Sequence, residues 1–256
     1  MALSRASIDR PSSEEGDSQA QRRLCEGMPR IALGAFSAQL TERTRFFDAE
    51  VVAAIESGVT QVVIVGAGYD DRALRFRTTG VRFFEVDHPA TQADKRTRLE
   101  AIGDGPGPDG PVLVSADLAR EDVASALEES GHDSAAATLF VCEGVLVYLE
   151  REAISRSLRS LSGISADGSL LAASLATHSD GLDSALVRDA ANARRSTSYS
   201  EPWLTILPKE EHLHLLRTSG WTPQRLSGTE TTLVVALRAQ ATGPIAPDAS
   251  TGRVGD

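Results

Sequence analysis

The chain has 256 residues, 41% of them hydrophobic, and a formal net charge of −10. That length suits one doubly wound domain with a full core, and the acidic balance argues against nucleic acid or an anionic membrane as the main partner. No apolar run approaches the ~20 residues that span a bilayer, the start lacks the apolar centre of a signal peptide, and Cys25 and Cys142 suggest neither a disulfide framework nor a zinc site. The expected address is a reducing cytoplasm, and no metal is predicted.

Residues 1–18, rich in Ser, Glu and Asp, read as a disordered leader. A single domain is expected over 19–239. Gln19 to Leu40 is weakly helical and interrupted by Gly27 and Pro29. Thr41 to Asp48 leads into an apolar-periodic helix through Ile55 that stops near Gly58. Arg43 and Arg45 on this stretch are either surface charges or a planar fork for a carboxylate.

Val62 to Val65 is the all-apolar run of a strand buried on both faces. Gly66 and Gly68 then allow a tight turn and close approach of a ligand, and Asp70 can cap a following helix. A second strand ends Phe84-Glu85-Val86-Asp87, at the distance where a nucleotide-binding βαβ unit places its ribose-binding carboxylate. Asp71 stands where a dinucleotide fingerprint wants a third glycine, and two consecutive acids would repel a pyrophosphate. The pattern therefore favours S-adenosylmethionine, a cationic sulfonium with one ribose and no phosphate, over NAD. The bland alternative is an ordinary βα turn.

Pro89 opens a helix that Ala90 to Ala101 continues. Pro111 to Ser115 is a third strand, followed by Asp117, which either meets an adenine amino group at the ligand crevice or caps a helix over Arg120 to Glu129. Thr138 to Cys142 is a fourth buried strand, and Glu143 directly after it points to the cleft. Tyr148 reads first as a core or rim residue and second as a catalytic one. Glu150 to Leu161 is an amphipathic helix, and Gly168 to Ser174 a fifth strand. Strand and helix thus alternate from Gln61 onward, as in a parallel sheet with right-handed crossovers.

Thr177 to Leu207 breaks the rhythm and reads as a late insertion over the substrate side, about 178–207. His178, just after the fifth strand, is the candidate base, against the plainer reading of a surface loop histidine. Pro208 starts a helix ending near Gly220. Pro223 to Leu226 and Thr231 to Leu237 make a final hairpin, one strand of which must run antiparallel. Residues 240–256 read as a flexible tail.

The ordered pieces Arg43-Thr44-Arg45-Phe46-Phe47-Asp48, Val63 to Arg72, Phe84 to Pro89, Ala116-Asp117-Leu118 and Glu143 to Leu149 resemble the leucine carboxyl methyltransferase family, in its bacterial branch of S-adenosylmethionine-dependent O-methyltransferases. Asp70-Asp71-Arg72 replaces the family's usual Asp-Thr-Arg. The resemblance implies a Rossmann-like α/β fold: a doubly wound, seven-stranded mixed sheet with an N-terminal helical cover. It implies that Gly66 and Gly68 pass close to the methionine part of S-adenosyl-L-methionine. Asp87 would bind the ribose, with Glu85, on the same strand face, a lesser choice. Asp117 and Leu118 would frame the adenine, Glu143 would sit near the amino group, and Arg43 or Arg45 would hold the carboxylate.

The expected reaction is attack of a small-molecule carboxylate or hydroxyl oxygen on the sulfonium methyl. A carboxylate needs no base, being ionised already; for a hydroxyl, His178 would serve. The alternatives are an NAD(P)-dependent oxidoreductase on the same general sheet and an inactive methyltransferase-like binding protein.

Overall fold

The structure is a computed structural model describing residues 2–29, 36–105, 107, 110–179, 181–194, 201–228 and 231–239. Helices α1 (Ala2–Arg5) and α2 (Ala20–Leu24) precede the long α3 (Phe36–Glu56). Then come β1 (Gln61–Val65), α4 (Arg72–Arg75), β2 (Arg82–Asp87), α5 (Pro89–Ala101), β3 (Val112–Ser115), α6 (Val123–Glu129) and β4 (Thr138–Cys142). A 3₁₀ turn over Leu146–Tyr148 leads to α7 (Arg151–Gly163) and β5 (Leu170–Leu175). The chain continues through β6 (Thr177–His178), α8 (Ser184–Arg194), β7 (Leu207–Pro208), α9 (Lys209–Thr218), β8 (Trp221–Ser227) and β9 (Thr232–Arg238).

Seven strands form one sheet in the order β3-β2-β1-β4-β5-β9-β8. β1 to β5 are mutually parallel, while β9 runs antiparallel to both β5 and β8. β1 and β4 lie between parallel neighbours and are buried at every position, which is why their sequences are apolar almost throughout rather than alternating. Val63 and Val65 face a core with Phe84, Phe140, Leu158 and Trp221, and Val62 and Ile64 face one with Phe47, Val51 and Ala54 of α3. The Trp221 indole N–H donates to the Leu158 carbonyl at 2.9 Å, so that this large ring is buried without an orphaned donor. Pro223 sits in the outermost strand, where its missing N–H costs least, beside a register shift against β9.

Four local expectations change. Residues 2–18 are packed rather than a disordered leader: the Arg10 side chain is fully enclosed, and the Ser13 and Asp17 amides donate to the Arg75 and Leu74 carbonyls. Composition marks segments too polar to bury apolar surface, but this one docks through guanidinium groups. The entry helix begins at Phe36, well before Thr41. α6 begins at Val123, capped by the Asp122 carboxylate on the Ala124 amide, so Asp117 is not its cap. The insertion contains α8 and a short parallel pairing of β6 with β7. The tail expected over 240–256 lies outside the described residues.

Candidate functional site

The site residues gather where β1, β2, β3 and β4 end. After β1 the chain turns through Gly66 (φ +68°) and Gly68 (φ +51°). A Cβ on Gly66 would lie 2.5 Å from Val145 Cγ2, so this glycine is required by close packing against the segment after β4. A Cβ on Gly68 would meet nothing within 4 Å, so open space lies beside that turn. The Gly68 amide donates to Asp87 Oδ2 at 2.6 Å, and the His88 amide to Asp87 Oδ1 at 2.7 Å. The half-buried carboxylate ending β2 is thereby aimed across the end of β1. His88 also caps α5, its Nδ1 accepting from the Ala90 amide.

The acids at the turn are not bare. Asp70 accepts from Arg72 Nη1 at 2.6 Å, from Arg5 Nη1 at 3.0 Å and from the Arg72 amide at 2.9 Å. Asp71 accepts from Arg10 at 2.7 Å and Arg75 at 2.8 Å. Asp48 of α3 takes Arg10 at 2.6 Å and Arg72 at 2.8 Å. All three carboxylates are buried. The expectation that Asp70 and Asp71 present unpaired negative charge to a ligand is therefore corrected. Burying two carboxylates would be prohibitive without partners, and four arginines supply them.

Glu143 completes the cluster. Its Oε2 accepts from Arg72 at 2.7 Å, and its Oε1 faces Arg43 at 3.0 Å and Arg5 at 3.1 Å. Burial alone would raise its pKa, but Arg5, Arg72 and Arg43 outweigh that and hold it well below the usual carboxylate range. Burial likewise works against ionised Asp70, and Arg72 and Arg5 again prevail. Gly144 (φ +66°) lets the Arg43 guanidinium lie against the backbone, 3.4 Å from where a Cβ would stand. Arg43 is thus at the site, whereas Arg45 is exposed on α3.

Glu85 is almost wholly buried and paired with Lys95 of α5 at 2.5 Å, and Lys95 also donates to the Asp70 carbonyl at 2.8 Å. Burial pushes the Glu85 carboxyl up to about 7, against the pull of Lys95. This engagement leaves Asp87 the better-placed of the two for a ligand. Asp117 is partly exposed, its Oδ1 accepting from the Ala119 amide at 3.0 Å, and Leu118 beside it is buried. Tyr148 ends the 3₁₀ turn, half-buried. The preceding carbonyl, of Val147, accepts from the Leu204 amide at 2.8 Å, tying this turn to the insertion. His178 Nδ1 donates to the Ser179 carbonyl and its Nε2 meets Ser184 Oγ, each at 2.8 Å.

Arg5, Arg10, Arg72, Arg75, Asp48 and Lys95 were not among the predicted site residues. Of these, Arg72, the third member of the Asp-Asp-Arg run after the glycines, and Asp48, which closes the Arg43 to Asp48 piece, lie in motifs that the sequence already singles out. Among the described residues no group of His, Cys, Asp or Glu is arranged to hold a metal ion, and no helix is long and apolar enough to cross a membrane.

Solved structures share the fold. The magnesium protoporphyrin IX methyltransferase of Synechocystis matches over 85% of this chain and 92% of its own, with a TM-score of 0.54 and 16% identity. An O-methyltransferase family protein of Burkholderia thailandensis matches over 86% and 67%, with a TM-score of 0.53 and 16% identity. Among sequence relatives, a Parafrankia protein provisionally named S-adenosyl-L-methionine-dependent methyltransferase is 40% identical over 65% of this chain and 53% of its own. A Frankia alni protein of the same provisional name is 34% identical over 82% of this chain and 68% of its own. The chain spans about half the length of the first two curated relatives that it matches. The leucine carboxyl methyltransferase profile matches residues 3–162, which hold both the glycine turn and Glu143. With most of its length inside that match, the chain belongs to the leucine carboxyl methyltransferase family.

Proposed function

We propose that the chain is an S-adenosyl-L-methionine-dependent O-methyltransferase acting on a small-molecule carboxylate or hydroxyl, of the kind made in secondary metabolism. The observation that carries it is the placing of Gly68, Asp87 and Glu143 at the ends of three adjacent parallel strands, with open space beside Gly68. These residues fit a nucleoside bearing an amino acid. Asp87 offers a partly accessible carboxylate for ribose hydroxyls, Asp117 and buried Leu118 frame an adenine, and the turn at Gly66 and Gly68 lets a methionine chain pass. Arg43 would take the carboxylate and Glu143 the ammonium, opposite charges side by side. The family assignment supports methyl transfer over hydride transfer.

When bound, the cofactor supplies a methyl carbon made electrophilic by the attached sulfonium. The chain's contribution is to orient the acceptor oxygen and exclude water, which accounts for most of the rate in such displacements. The insertion between β5 and α9 would cover the acceptor. For a hydroxyl acceptor, His178 would serve as base: Nδ1 donates to the Ser179 carbonyl, and Nε2 would exchange its present partner, the Ser184 hydroxyl, for the acceptor. A carboxylate acceptor needs no such group. Both cysteines are free and buried, which suits the reducing cytoplasm as the place of action.

Calorimetric titration with S-adenosylhomocysteine tests the reading, and a flat titration sinks it. Methyl-labelled cofactor incubated with a cell extract then identifies the acceptor class by product mass. Displacement of a reporter dye by NADH, but not by S-adenosylhomocysteine, would favour the oxidoreductase alternative.

A further inference from the structure

Three guanidinium groups serve Glu143, and they are not equally fixed. Arg72 is completely buried and also holds Asp48 and Asp70. Arg43 stands within the 21-residue α3 and lies against Gly144. Arg5 belongs to the four-residue α1. Its contacts to Asp70 and Glu143, 3.0 and 3.1 Å, are among the longest in the cluster, and its Nε is buried with no hydrogen-bond partner. If Arg5 withdrew, Asp70 would keep Arg72 Nη1 at 2.6 Å and the Arg72 amide at 2.9 Å. Arg10, five positions on, is held far more firmly, with bonds of 2.6, 2.7 and 2.9 Å to two buried carboxylates.

Glu143 Oε1 faces both Arg5 and Arg43. Arg43 Nε donates to this oxygen at 3.0 Å, and Arg5 Nη2 stands beside it as an ion pair at 3.1 Å, so two cations already crowd it. A third cation would join it most readily by displacing one of the two, and Arg5, carried on the four-residue α1 and held there by an ion pair without a hydrogen bond, is the more easily moved. We infer that residues 2–11 form a tethered strap: Arg5 occupies, on Glu143, the place of the cofactor's ammonium, so that cofactor entry lifts α1 while Arg10 keeps the strap attached. The inference rests on the proposed reading of Glu143 as the ammonium's partner. It makes the strap a built-in competitor, and the free protein's affinity for cofactor is lowered by the fraction of molecules in which the strap is closed.

Hydrogen exchange of the full chain, read by mass spectrometry over residues 2–9, tests this. Two ligands are compared: S-adenosylhomocysteine, which carries the ammonium and carboxylate, and 5′-methylthioadenosine, the nucleoside thioether without them. The expected result is faster exchange over residues 2–8 with S-adenosylhomocysteine only, while the Ser13 and Asp17 amides stay protected. Arg5→Ala should bind S-adenosylhomocysteine about fivefold to tenfold more tightly, as expected if the closed strap dominates, and methylthioadenosine unchanged; Arg5→Lys should stay close to the parent. If S-adenosylhomocysteine binds and residues 2–8 exchange no faster, the strap is overturned while the cofactor reading stands. Weaker binding by Arg5→Ala also overturns it, making Arg5 a cofactor ligand. If neither compound binds, the cofactor reading falls and takes the strap with it.

Discussion

Arg72 Nη1 lies 2.7 Å from Glu143 Oε2, so that the turn after β1 and the end of β4 are joined by one fully buried ion pair. The same guanidinium holds Asp48 of α3 and Asp70. Arg72→Met should therefore leave three buried carboxylates short of a partner. Removing one member of a buried pair typically costs about 3–5 kcal/mol, a large fraction of a domain's stability. Urea titration should show a midpoint lowered accordingly, or no cooperative transition at all.

Acid should weaken the same cluster. The pKa values of Glu143 and Asp70 are depressed in the folded chain, because their arginine partners outweigh the effect of burial. Their contribution is present above the ordinary values of 4.5 and 3.8 and is lost as pH falls below them. Stability measured by denaturant at pH 6 and at pH 3 should drop steeply, and a Glu143→Gln, Asp70→Asn double variant should show a shallower drop.

Glu85 behaves in the opposite sense. Its pKa is raised from 4.5 to about 7 by burial, so its folding penalty is absent below 4.5 and grows as pH rises toward 7. The full difference corresponds to about 3 kcal/mol. Comparing Glu85→Gln with the parent from pH 5 to pH 8 should show the variant's stability less dependent on pH in that window. Identical slopes would mean that Glu85 is ionised in both states.

The two glycines of the turn should separate folding from binding. Gly66→Ala places a methyl 2.5 Å from Val145 Cγ2 at a positive φ, and should lower stability by about 1–3 kcal/mol. Adding Val145→Ala should recover part of that. Gly68→Ala has open space around its Cβ and should cost only the strain of its φ, about 1 kcal/mol. It should nevertheless weaken S-adenosylhomocysteine binding, because the new methyl occupies the crevice. Thermal denaturation and calorimetry on both variants check the contrast.

Asp87→Ala should keep the fold, since the carboxylate is only half-buried, but lose its hold on the ribose. The expected loss in S-adenosylhomocysteine affinity is about tenfold to a hundredfold, the range for a charge-assisted hydrogen bond. Near-parent affinity would move the nucleoside elsewhere.

The doubly wound sheet was legible because strands buried on both faces must be nearly continuous apolar runs, as Val62 to Val65 and Leu139 to Cys142 are. The placing of Asp87, Glu143 and the glycines at strand ends was legible because each ends or closely follows an apolar, β-rich run. The arginine network was not. Arg5 meets Asp70 across 65 positions, and Arg43 meets Glu143 across 100, and no local pattern records such pairings. The polar leader looked incapable of packing for the same reason: its docking depends on acids placed by other segments. α8 escaped notice because its Leu186 is exposed, so its apolar residues do not mark a buried stripe.

Pro223 and the slipped register beside it also bear on how copies of this chain can associate. An outermost strand normally presents a row of unsatisfied amides and carbonyls, a template on which a foreign segment can crystallise into further sheet. At β8 that template is interrupted in mid-length, with one donor deleted and the ladder out of step with its neighbour. Growth of the sheet past this margin is discouraged.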